Sequence, residues 1–279
     1  PARLKTRAMQ SEMPKAYWRN LPEAALIPEL IASARSRTDA MVSAEPVLPN
    51  AKALKAVAPG VVLEAERLTY GTLADLNDGL SGCRKCPLWR DATQVVCGQG
   101  PSSASIMIIG EQPGDQEDLS GRPFVGPAGQ VLDQALTEAG LLRDDLYLTN
   151  AVKHFKHSPQ GKRRLHRTPD ATEIGACRGW LMHEKALVKP KLIVALGATA
   201  ASAVLGTKVA VNSIRGQIQM LEYGVSVLVT YHPAYFLRLP DREQQRTARS
   251  TLVADIALAS RYADQKIALD DEPIATDIV

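Results

Sequence analysis

At 279 residues, 45% of them hydrophobic, the chain can bury a full core and still carry an extra segment or two, so one sizeable domain with appendages is expected. Basic and acidic residues nearly balance, 33 against 30, and a net charge of +3 does not by itself point to a nucleic-acid partner. No apolar run approaches the ~20 residues that cross a bilayer, and the N-terminus lacks a signal-peptide pattern, which excludes a membrane role and leaves a soluble, cytoplasmic protein, expected to be a monomer.

In chain order, residues 1–45 read as amphipathic helix, with Leu26, Ile27, Leu30 and Ile31 near one face, too short for a domain. Residues 46–66 turn to Ala, Val, Pro and Lys, the composition of a linker. Order resumes from about residue 67 to residue 265, ahead of a tail at 266–279. Apolar strands are predicted at 106–109, 146–149, 192–196 and 225–230, and helices at 129–139, 170–188, 198–205 and 241–262. Alternation of this kind predicts a parallel sheet covered on both faces.

The most informative stretch is GEQPGDQEDLSGRPFVGPAGQ, residues 110–130, which follows the first strand. A strand that empties into a Gly/Pro turn at the carboxyl edge of a parallel sheet presents backbone N–H groups and carboxylates to a ligand crevice. Two later segments are expected on the same face: the basic loop GKRRLHRTP at 161–169 and the strand-end motif Tyr231-His232-Pro233-Ala234. Between Leu146 and Pro169 stand Lys153, Lys156, Lys162, Arg163, Arg164 and Arg167 with no acidic residue among them.

Cysteine usage adds a second signal. Cys83 and Cys86 form a CxxC ahead of the first strand, Cys177 lies on a predicted helix, and Cys97 completes the four. In a cytoplasmic protein this set points to a metal, a cluster or redox chemistry rather than to structural disulfides, and zinc and iron–sulfur both fit. Cys97, in the apolar run Val95-Val96-Cys97, also reads as an ordinary buried thiol.

The ordered set CRKCPLW, GEQPGDQEDLSGRPFVGPAGQVL, LYLTNAVKH, CRGWL, LGATAA and YHPAYFLR resembles family 4 uracil-DNA glycosylases, and the KRRLH insertion with Gln112 after Glu111 resembles their UdgX branch. Residues 13–41 resemble the C-terminal end of a DUF4130-type domain. The resemblance implies a three-layer α/β/α fold with a central four-stranded parallel sheet, uracil-containing DNA as partner, single-stranded DNA preferred, and a [4Fe-4S] cluster. It places Cys83, Cys86 and Cys177 as cluster ligands, and His154 at the third ligand position, where the family carries cysteine; Cys97 is the competitor.

Breaking an N-glycosidic bond needs donors for the leaving base and something to capture C1′. By resemblance, His232 donates to the uracil O2 and Phe124 stacks on the flipped base. Asn150 offers donor and acceptor together to the uracil edge, and Gln112, Gly114 and Asp115 line the pocket wall. Lys162, Arg163, Arg164 and Arg167 neutralise phosphates. His166 is the expected nucleophile, forming a lasting bond to C1′, with Glu111 orienting it or accepting its proton. Two other readings stay open: a turnover glycosylase that uses water, and a noncatalytic DNA damage-binding module.

Overall fold

The computed structural model describes residues 70–221 and 225–270, which belong to the compact unit Ala65–Val279. The helical segment expected at 1–45, the linker expected at 46–66 and the end of the tail lie outside the described residues.

Strands β1 (Ile106–Gly110), β2 (Tyr147–Asn150), β5 (Leu192–Leu196), β6 (Ile218–Met220) and β7 (Ser226–Thr230) form one sheet in the order β2-β1-β5-β7-β6. The first four of that order run parallel, as expected. The fifth, β6, pairs antiparallel with β7, so the sheet has five strands rather than four. Every residue of β1, β2, β5 and β7 is buried, because both sheet faces are covered. Alternate side chains of β1, Ile106 and Ile108, pack with Leu148, Val194 and Leu228 beneath α3 (Pro127–Glu138) and α7 (Arg242–Asp270). Met107 and Ile109 point the other way, to Ile193, Val227 and Val229 beneath α4 (Ala171–Val188) and α5 (Gly197–Leu205). Three α/β/α layers result. The last helix runs on to Asp270, eight residues beyond the expected end at 262.

A third, smaller cluster holds α1 (Leu73–Ser81) against α4 through Leu76, Leu80, Val152 and Trp180. Thr72 caps α1 in a reciprocal box with Asp75, and Asp170 does the same for α4 with Glu173.

The basic segment differs from expectation. It is the second strand of a hairpin, β3 (His157–Gln160) against β4 (Arg163–His166), with His157 opposite His166 and Gly161 at φ +59 in the turn. Its strands carry little apolar alternation, so only pairing and the anchors beneath them define them. Among the described residues no helix is long and apolar enough to cross a membrane.

Candidate functional site

The carboxyl ends of β1, β2 and β7 meet at one edge of the sheet. Gly110 pairs with Asn150 across β1 and β2, and the two following amides, Ala151 and Val152, donate to the carbonyls of Gly110 and Glu111 at 2.9 and 3.0 Å. A Cβ on Gly110 would stand 2.4 Å from Asn150 Oδ1 and 2.6 Å from the Phe124 ring, so glycine is required for both side chains to close over this point. Phe124 is buried and holds φ +54, a costly value for an aromatic residue. Glu117 fixes the turn around it by accepting from Gly114 N–H at 3.0 Å and Gly126 N–H at 2.7 Å. Among the described residues the Asn150 amide has no hydrogen-bond partner and is not sealed from solvent, so donor and acceptor both stay available to a ligand.

His232 follows β7 with its ring stacked beside Phe124, centroids 6.4 Å apart and planes at 30°. Its Nδ1 accepts from Ala234 N–H at 3.1 Å, which leaves the hydrogen of the neutral ring on Nε2. Desolvation first, then the charges of His166 and Arg238, pull its pKa to about 4. A neutral imidazole that can only donate from Nε2 suits a developing oxyanion.

His166 ends β4 and reaches back over this edge: its Nε2 is 3.4 Å from Glu111 Oε1. The other oxygen, Glu111 Oε2, accepts from Thr199 Oγ1 at 2.6 Å, so the hydroxyl at the start of α5 turns the carboxylate toward the imidazole. Burial lowers the His166 pKa, with Arg238 adding to the effect and Glu111 opposing it. Its side chain is still 42% exposed, so one edge of the ring faces solvent.

The hairpin is bolted down. Phe155, fully buried, lies beneath both His157 and His166, with ring centroids at 4.9 and 6.2 Å. Arg164 reaches Asp115 at 2.6 Å and the buried Asp118 at 2.5 Å, with Thr93 Oγ1 at 3.1 Å. Arg164, expected at phosphate, and Asp115, expected at the pocket wall, are thus paired with each other at the foot of the hairpin. Gln112 is occupied as well. Its Nε2 donates to the carbonyls of Lys156 and Arg167 at 3.1 and 3.0 Å while its Oε1 accepts from Lys156 N–H at 3.0 Å, so the amide closes the neck of the insertion and offers nothing to a base. Gly114 spends its N–H on Glu117. Lys162, Arg163 and Arg167 are exposed, and Arg167 Nε donates to Ser158 Oγ at 2.8 Å. Lys153 and Lys156 are occupied as well, the first in a fully buried pair with Glu184 at 2.6 Å and the second with Glu173 at 2.7 Å.

Cys83, Cys86 and Cys177 share the small third cluster. Trp180 Nε1–H donates to Cys83 Sγ at 3.2 Å and Lys153 N–H to Cys177 Sγ at 3.5 Å, contacts that suit sulfur carrying negative charge. Burial pushes Cys177 up to about 11 and raises Cys86 as well. His154 is buried with its Nδ1 lacking any partner among the described residues, and burial lowers its pKa. Among the described residues no three His, Cys, Asp or Glu side chains converge as a ready metal site. An iron–sulfur cluster spreads its ligands over several irons and does not demand that convergence. The donor set and the orphaned imidazole nitrogen are therefore compatible with one.

Sequence reasoning missed Thr199, Gly110, Glu117, Phe155 and Asp118. Thr199 belongs to LGATAA, a string that entered the family resemblance and marked a helix start but gave this hydroxyl no role.

Comparison with known proteins accords with this geometry. Residues 97–256 match the family model described as the uracil DNA glycosylase superfamily. The type-4 uracil-DNA glycosylase of Thermotoga maritima is 39% identical over 172 residues, which cover 61% of this chain and 86% of that one. Its counterpart from Pyrobaculum aerophilum is 37% identical over 60% of this chain and 86% of its own, and that from Archaeoglobus fulgidus 34% over 62% and 87%.

Proposed function

Because the chain belongs to the uracil DNA glycosylase superfamily, we propose that it excises uracil from DNA and is then captured on it, through a bond between His166 and C1′ of the sugar. The observation that carries the capture is the approach of His166 Nε2 to Glu111 Oε1, 3.4 Å, at the edge of the crevice formed by Gly110, Phe124, Asn150 and His232.

In this reading Phe124 stacks on the flipped uracil, the Asn150 amide pairs with its edge, and His232 Nε2–H donates to O2. The glycosidic bond breaks with its electron pair leaving on the base, and the donors stabilise that anion. The sugar cation is then open to a nucleophile. Burial keeps the His166 ring neutral near pH 7, so its lone pair is available, and positioning on the hairpin makes attack effectively intramolecular. Bond formation would leave a cationic ring, and Glu111 is the carboxylate that balances the charge or takes the proton. Thr199 keeps that carboxylate turned. The exposed Lys162, Arg163 and Arg167 would meet phosphates. Single-stranded DNA is the easier substrate, because extruding a base from a duplex costs a few kcal/mol.

Cys83, Cys86, Cys177 and His154 would hold a [4Fe-4S] cluster, whose part is to brace the segments around the crevice. Cys97, half-buried, is the competing fourth ligand. The unpartnered Nδ1 of His154 favours the imidazole.

The solvent-facing edge of His166 favours a second reading, in which water reaches C1′ first and the enzyme turns over. A uracil oligonucleotide analysed on a denaturing gel separates the two. A heat- and SDS-stable adduct that peptide mass mapping assigns to His166 is the expected result. Free uracil without an adduct defeats the covalent reading and leaves the glycosylase.

A further inference from the structure

Helices α4 and α5 lie side by side over one face of the sheet, and the surface between them is not filled. Small residues leave a groove of about 830 Å³: Ala171 and Gly175 on α4, Ala198 and Ser202 on α5, and Gly206 just beyond it. Ile174, Ala203 and Val209 give it an apolar wall. Arg178 stands in this groove without a counter-ion. Its Nε is sealed from solvent with no hydrogen-bond partner among the described residues, and both Nη atoms lie 3.6 Å from the point that a Cβ on Gly206 would occupy. A guanidinium partly withdrawn from water and left unpaired has unspent donors, so an anion that reaches it is stabilised. Lys208 lines the groove as well, and the same face of α4 continues with Met182, 40% exposed, and Lys185, one and two turns beyond Arg178. Burial first, and then the charge of Arg178, lower the Lys185 pKa, the direction expected where cations crowd with no acid between them. The carboxylate that lines the groove, Asp170, is spent on capping α4 and on Lys156.

We propose that this groove is a docking site for an acidic amphipathic helix of a partner protein, with large apolar side chains seated between α4 and α5 and carboxylates meeting Arg178, Lys185 and Lys208. The inference is independent of the chemistry assigned to the crevice. A channel between two helices, lined by small residues, accepts the side-chain ridge of a third, and Ile174, Arg178, Met182 and Lys185 alternate apolar and cationic groups at the spacing of one helix face. Charge selects the partner. Three cations with no free acid among them call for aspartate or glutamate opposite, and exclude a basic helix of the same apolar pattern. A nucleic-acid strand fits less well, because it would meet the Asp170 carboxylate, 57% exposed, at the end nearest the hairpin and an apolar wall that offers phosphates nothing.

The test uses the full chain and two fluorescein-labelled synthetic peptides of about 15 residues, long enough to form a helix, each with leucine along one face. One carries glutamate beside the leucines and the other lysine. Fluorescence anisotropy should show the glutamate peptide bound at least about tenfold more tightly than the lysine peptide. R178E should weaken the glutamate peptide roughly tenfold or more and strengthen the lysine peptide, and S202W, which fills the groove without changing its charge, should weaken the glutamate peptide too. K208E, at an exposed position that the fold does not depend on, should act in the same direction as R178E by a smaller factor. Thermal unfolding checks that each variant is folded. No preference for the glutamate peptide up to about 1 mM, or a preference that R178E, S202W and K208E all leave unchanged, overturns the docking site. So does a uracil-free single strand that loses its binding in R178E while the glutamate peptide keeps its own, a result that gives the groove to nucleic acid.

Discussion

His166 and His232 are both driven toward the neutral form by desolvation, yet they are prepared for opposite work. His232 has its Nδ1 occupied by a backbone N–H and can only donate from Nε2, whereas His166 has a carboxylate beside one nitrogen. The pH dependence should separate them. A group whose pKa is lowered stays neutral down to that lower value. Adduct formation should therefore be flat near pH 7 and fall on acidification below the ordinary histidine value of about 6.5, as His166 protonates. Base release by H166S should keep its rate to lower pH than adduct formation does, because burial and Arg238 still hold the His232 pKa below the ordinary histidine value once the His166 charge is gone. Rapid-quench measurements from pH 4.5 to 8 read both limbs, and coincident limbs would mean that one residue governs both steps. E111Q should slow adduct formation by roughly 10²-fold or more while base release changes little. T199V should act in the same direction but less, with T199S restoring the wild-type rate. The position of Asn150, Phe124 and His232 at the sheet edge was legible in the sequence, because a strand end or the turn after it delivers each of them there. Thr199 was not: which first-turn side chain of α5 meets Glu111 depends on the helix's rotation, which no string reveals. The hydrogen bonds that occupy Gln112 and Arg164 were not legible either, because they go to neighbours that only the fold brings in.

The hairpin β3–β4 and strand β2 are the elements on which the proposed capture and base reading depend. The segment read as a basic loop rather than a hairpin because His-Ser-Pro-Gln and Arg-Arg-Leu-His lack a buried face. Its order comes from below, from Phe155, Asp118 and the Gln112 amide. R164A would strip the buried Asp118 of its cation, leaving it only the Thr93 N–H, and should loosen the hairpin. Adduct formation should drop about 10- to 100-fold with uracil release within about threefold, since a small displacement of the nucleophile is enough. Equal losses in both steps would show that Arg164 supports the pocket instead. Strand β2 has a different anchor. The fully buried Lys153 donates to Thr149 Oγ1, to the Asn150 carbonyl and to Glu184 at 2.6, 2.9 and 2.6 Å. K153M would leave Glu184 buried and uncompensated, at a cost of about 3–5 kcal/mol and roughly 10 °C in Tm, whereas K153M/E184L should regain much of it. Calorimetry on the two variants decides whether charge compensation or packing dominates. The fifth strand, β6, escaped notice because three residues around a glutamine are too few to show a period.

On the scale of the molecule, two large apolar layers carry the sheet and a small third cluster carries the cysteines. The parallel sheet and its covering helices were legible from the alternation of apolar runs with amphipathic ones. That Cys83, Cys86 and Cys177 would share one cluster of buried residues was legible from their spacing, whereas the choice between His154 and Cys97 as a proposed fourth ligand was not, since a buried histidine and a half-buried cysteine look alike in a string. Removing His154 should decide it: H154A is expected to lose visible absorbance and iron and to lower Tm, with C97A keeping all three. The reverse pattern would assign the position to Cys97. The Gln112 amide has a consequence of another kind. Its three hydrogen bonds hold the insertion at its neck, beside the anchors that Phe155 and Arg164 supply, and none of them goes to Phe124, Asn150 or His232. Under the proposed capture, a lineage could gain or shed self-immobilisation on damaged DNA by exchanging the insertion together with its anchors, while base excision continued unchanged.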